Sequence, residues 1–194
     1  SSAAGNVSSA TTRSRSFHHY YPIPQTRSVT LVLRPMPGVA YTTGISLDND
    51  HKEIHLSTDY LCDLSPPHSP TRYRAEIVGV LQHELVHCYQ FSASRCPGGL
   101  IEGVADWVRL EAGLAPPHWS KGRRKDGPWD AGYSRTAFFL EWVEGKFGVG
   151  SVARLNERLG DGKEYEEEGF WKGLFGKKVE ELWEEYADEA WGKD

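Results

Sequence analysis

Two histidines four residues apart, the first followed directly by a glutamate, stand inside the chain's clearest helical pattern: His83-Glu84-Leu85-Val86-His87. That pattern covers residues 74–91, where Ile77, Val80, Leu81, Leu85 and Val86 recur at the spacing of one helix face. Residues four apart on a helix project from the same side, so both imidazoles reach a common point. A helix with this much apolar surface is directed to the interior, and two imidazoles there need partners. A shared divalent ion is one such partner. Glu84, offset around the helix, is placed to take a proton from a water beside that ion. The plainer alternative is two helix-surface histidines flanking a glutamate.

A zinc-type site takes three protein ligands and leaves one position for water. One known solution places a glycine at position 90 and a third histidine at 93; the chain has Gln90 and Ala93, so that solution is excluded. The other takes a glutamate from a following helix. Glu102 opens the next helical stretch, 15 residues after His87, and Asp106 follows one turn later on the same face. Ile101, Val104, Ala105, Trp107 and Val108 make that stretch largely apolar. The expected constellation is therefore His83, His87 and Glu102 as ligands of one zinc ion and Glu84 as general base. Asp106 is expected to accept the free ring N–H of a ligand histidine, with His83 its partner. Against this stand a carboxylate that merely favours a helix N-terminus, for Glu102, and a surface charge, for Asp106.

The 194 residues suit one domain, expected over 17–194. A net charge of -5 argues against a nucleic-acid partner, and no apolar run reaches membrane-span length. Residues 1–16 are rich in Ser, Thr and Ala and lack the apolar segment of a signal peptide. They are expected as a disordered tail carrying an Asn6-Val7-Ser8 sequon. The basic run from Lys121 to Lys125 reads as a solvated loop.

Strands are expected at 28–33, 39–43 and 53–57, then a loop marked by Pro66, Pro67 and Pro70. Helices are expected over 74–91 and 100–112, from Gly132 onward, and finally over 179–191. Strands followed by helices give an α+β chain, with a small, mostly antiparallel N-terminal sheet and a helical C-terminal part. Of the three cysteines, Cys88 and Cys96 flank a short connection that a disulfide would staple. Free thiols throughout, with Cys62, are the alternative.

The runs His83-Glu84-Leu85-Val86-His87-Cys88-Tyr89-Gln90 and Pro97-Gly98-Gly99-Leu100-Ile101-Glu102-Gly103-Val104-Ala105-Asp106-Trp107 resemble the plant basic secretory protein family and its fungal relatives. Ala115-Pro116-Pro117-His118-Trp119, Trp129-Asp130-Ala131-Gly132-Tyr133 and Leu182-Trp183-Glu184-Glu185-Tyr186 extend the likeness over most of the chain. The cysteine pair is closer to fungal members. The acidic balance departs from the family's name.

The resemblance implies a secreted, extracellular zinc metallopeptidase of the gluzincin type, with a zincin (thermolysin-like) core, acting on peptide or protein substrates. It also suggests Tyr133, just before a helix, as donor to the oxyanion of the reaction. Arg109 and His118 are further candidates for substrate contact, with structural pairing or loop packing as the alternative. The chain shows no Gly-Xaa-Met-Glu-Asn element for gripping a substrate amine, which points to an endopeptidase. A non-catalytic secreted zinc-binding defence or interaction protein on the same fold is the competing reading.

Overall fold

The computed structural model describes residues 23–64, 69–121 and 127–192. The tail with its sequon, Pro66, Pro67 and residues 122–125 of the basic run lie outside them. The strands β1 (Ser28–Arg34), β2 (Ala40–Ile45) and β3 (Asp48–Ser57) form one sheet in the order β1-β3-β2. Seven helices follow among the described residues: α1 (Thr58–Leu64), α2 (Pro70–Tyr89), α3 (Gly98–Glu111), α4 (Tyr133–Phe147), α5 (Ser151–Leu159), α6 (Glu167–Phe175) and α7 (Val179–Trp191). The chain is thus α+β, with the sheet first and the helices after it, as the order of its patterns predicts.

The sheet is evenly mixed rather than mostly antiparallel. β2 and β3 form an antiparallel hairpin, from Ala40↔Leu56 to Ile45↔Asp48. β1 runs parallel to β3, from Ser28↔His51 to Arg34↔Ser57. The tight link between β2 and β3 forces their antiparallel pairing. Residues 35–39 then carry the chain past the C-terminal end of β3, so that β1 occupies its other edge. Half-buried strands carry no sequence mark of the direction in which they pair.

α2 begins four residues earlier than its apolar spacing predicts. Ser69 is the N-cap and accepts from the Arg72 amide at 3.4 Å, and Pro70 takes the first turn, where its missing N–H costs nothing. The buried residues of α2 are Gly79, Val80, His83, Glu84 and Cys88. Leu85, expected on the inner face, is 42% exposed. The polar groups of the motif therefore hold interior positions that apolar side chains would otherwise take.

The main core lies among the helices. Leu100 and Val104 of α3, Phe139, Leu140 and Val143 of α4, Leu155 of α5, Trp171 of α6 and Leu182 of α7 are almost entirely buried. Phe139 sits 5.4–6.3 Å, centroid to centroid, from Trp129, Trp142, Trp171, Trp183 and Tyr186. Such aromatic pairs add about 0.5–1.5 kcal/mol each beyond the area they bury. α3 and α4 cross where Gly103 meets Thr136: a β-carbon at 103 would lie 2.2 Å from Thr136 Cγ2.

Cys88 and Cys96 are not bridged; all three cysteines are free thiols. Cys88 is buried at the end of α2, whereas Cys96 packs against the helical core and points its sulfur to the Pro97 carbonyl at 3.7 Å.

Candidate metal centre

Three elements converge on one point. α2 supplies His83 and His87 from successive turns, α3 supplies Glu102 from its second turn and Asp106 from the next, and α4 begins at Tyr133 beside them. His83 Nε2 lies 3.0 Å from His87 Nε2 and 3.1 Å from Glu102 Oε2, and His87 Nε2 lies 3.6 Å from that same oxygen. Among the described residues these are the three ligand-type side chains whose donor atoms all lie within 4.8 Å of one another. Donors about 2.0–2.1 Å from a tetrahedral zinc stand about 3.3 Å apart. The three separations bracket that figure, so the donor set fits zinc in both chemistry and size.

Behind the triangle, His83 donates from Nδ1 to Asp106 Oδ1 at 2.6 Å, and Asp106 is 2% exposed. This contact fixes the ring so that Nε2 faces the other donors. Burial works against a proton on His83, but hydrogen bonds to Asp106 and Glu102 outweigh it and raise the pKa to about 9. Hydrogen bonds from His83 and His87 hold the Glu102 carboxyl down to about 2.

Glu84, next to His83 on α2, is 6% exposed, and its carboxylate meets the sheet. Thr42 of β2 meets it there, with its hydroxyl 2.7 Å from Glu84 Oε2 and 3.0 Å from the Glu84 carbonyl. Gln90 Nε2 lies 2.9 Å from His87 Nδ1 and 3.3 Å from the Ile101 carbonyl, joining the end of α2 to α3. Sequence reasoning missed both residues. Gln90 lies three positions after His87 as the extended C-cap of α2, and that nearness in sequence was a usable signal. Thr42 had none, since a strand residue 42 positions away reveals nothing of its contact with Glu84.

Tyr133 is brought to the site by glycines. A β-carbon on Gly99 would fall 1.8 Å from the Asp130 carbonyl, and one on Gly132 would fall 3.3 Å from Gly99 Cα. The loop before α4 therefore lies directly against the first turn of α3. Thr136 secures it by accepting from the Gly132 amide at 2.9 Å and donating to the Trp129 carbonyl at 2.7 Å. Tyr133 has a left-handed backbone (φ 49°), a conformation unfavourable for a non-glycine residue, and is 61% exposed. Its ring lies nearly parallel to that of His83, with centroids 6.4 Å apart. The charge of Glu102 is the first cause raising its phenol pKa, followed by burial and then by Asp106 and Glu84.

The two remaining candidates are not part of this cluster. Arg109 is buried and structural: it pairs with Glu76 at 2.9 Å, donates to the Leu114 carbonyl at 3.0 Å and lies 5.3 Å from the Trp119 ring centre. It braces α2 against α3. His118 is exposed in the loop after α3.

No curated protein and no solved structure matches the chain. The family of basic secretory proteins, described as "Peptidase of plants and bacteria", matches residues 2–186. The match spans the helix with both histidines, the helix with Glu102 and Asp106, and the aromatic core behind them, and the chain belongs to that family of peptidases.

Proposed function

We propose that this chain is a secreted zinc-dependent endopeptidase of the gluzincin type, built on a zincin-type core. The observation that carries the reading is the triangle of His83 Nε2, His87 Nε2 and Glu102 Oε2, sized for one ion and braced from behind by Asp106. Bound there, zinc supplies a Lewis acid that brings a water toward a pKa of about 7 and polarises a scissile carbonyl.

The chain's own groups do the rest. Glu84 takes the proton of the attacking water and passes it to the leaving amine. The Tyr133 hydroxyl donates to the carbonyl oxygen as it gains negative charge. Asp106 holds the His83 ring in its tautomer. β2 is the edge strand next to Glu84, and an extended peptide can add to such an edge through its backbone. That edge, with no further strand paired to it among the described residues, and the missing amine-gripping element favour internal cleavage. The secreted location rests on the family resemblance.

The test compares wild type with Glu84→Gln for zinc content and for cleavage of casein. About one zinc in each protein, with cleavage falling by about 10²-fold or more in the variant, supports the reading. Equal cleavage by both proteins contradicts it. Zinc in both with no cleavage of casein or of a broad peptide library leaves a non-catalytic zinc-binding protein.

A further inference from the structure

We infer that Thr42 is a positioning residue that holds the Glu84 carboxylate in its working orientation from the edge strand of the sheet. The inference rests on the assignment of Glu84 as general base. Thr42 pairs with Ile54 in the β2–β3 ladder, and Ile54 is 2% exposed, so both side chains point from the sheet toward α2. Thr42 Oγ1 then stands 2.7 Å from Glu84 Oε2 and 3.0 Å from the Glu84 carbonyl. A hydroxyl has one proton to donate, and the shorter contact, to a carboxylate, takes it.

This single bond does three things. The last torsion of a glutamate is broad and weakly restrained, so an unpartnered carboxylate rotates. With Oε2 held by Thr42, Oε1 is left for a water; among the described residues no hydrogen bond reaches it. The β-branched Thr42 side chain is itself stiff about its first torsion, so it transmits the position of the strand. Finally, the edge strand proposed to take a substrate backbone is also the strand that orients the base. A peptide docked on β2 is therefore in register with Glu84 by construction.

Thr42→Val keeps the shape and branching and removes only the hydroxyl; Thr42→Ser keeps the hydroxyl and removes the methyl. On a fluorogenic peptide, Thr42→Val is expected to lower kcat about tenfold with KM, zinc content and Tm unchanged, while Thr42→Ser stays close to wild type. An unchanged kcat in Thr42→Val, or an equal loss in both variants, overturns the inference, since the latter means that the methyl packing matters instead. A second readout does not depend on turnover: the ¹³C resonance of the Glu84 carboxyl, identified by its loss in Glu84→Gln, is expected to shift in Thr42→Val and not in Thr42→Ser. If wild type cleaves nothing, the peptidase reading fails and this resonance alone decides: a shift confined to Thr42→Val supports the contact, and none overturns it.

Discussion

Asp106 Oδ1 stands 2.6 Å from His83 Nδ1, joining two helices at residues 23 positions apart. The partner is buried, and the ring it holds presents its other nitrogen to Glu102 at 3.1 Å. One aspartate thus sets both the tautomer and the aim of a histidine in the proposed metal site, at the place where α2 and α3 pack. Removing it is expected to loosen the ion without unmaking the helices. Asp106→Ala should weaken zinc binding about 10- to 100-fold, measured by competition with a chromophoric chelator, with Asp106→Asn falling between the two. Unchanged affinity in Asp106→Ala contradicts that role.

The same cluster sets the pH response. The His83 pKa of about 9 lies above the ordinary histidine value of about 6.5. Its contribution to stability is complete below pH about 6.5 and is lost as pH rises through about 9. Glu102, held at about 2, contributes fully above about 4.5, and that share is lost as pH falls through about 2. Protein stripped of metal should therefore unfold at lower urea concentration as pH rises from about 6.5 to 9. Zinc must displace the His83 proton, so its apparent affinity should rise about tenfold per pH unit over that range. An affinity that stays flat there contradicts the pairing.

The crossing of α3 and α4 makes a prediction about the scaffold. Alanine is the better helix former by up to about 1 kcal/mol over glycine. Gly103→Ala should nevertheless destabilise by about 1–3 kcal/mol, because its β-carbon meets Thr136 Cγ2 at 2.2 Å. Gly145 in α4 has open space around it, so Gly145→Ala should instead stabilise by about 0.5–1 kcal/mol. Thermal unfolding of the two variants measures both signs.

Tyr133→Phe removes one hydroxyl from an exposed ring and no packing. It should lower kcat about a hundredfold and leave zinc content and KM unchanged, by steady-state kinetics on a peptide substrate. A wild-type kcat would make Tyr133 a bystander.

What was legible in the sequence was what helical spacing encodes. His83 and His87 share a face because they are four apart, as do Glu102 and Asp106, and the structure brings all four together. The start of α2 was also written in the chain, in the N-cap Ser69 and Pro70, but the nearby prolines disguised it as loop. Beyond that motif, contacts across elements were not legible. Nothing local shows that Thr42 meets Glu84, that β1 runs parallel to β3, or that Gly99 and Gly132 touch. The neighbouring positions of Cys88 and Cys96 suggested a bridge, yet one is buried at the end of α2 and the other faces the helical core.

The central claim is that His83, His87 and Glu102 hold one zinc ion, and metal analysis of the purified chain tests it most directly. Wild type prepared without chelators should carry about one zinc per chain, and His87→Ala and Glu102→Ala should each carry much less. A wild-type chain that takes up no zinc even when it is supplied, or variants that keep the full complement, would contradict the site.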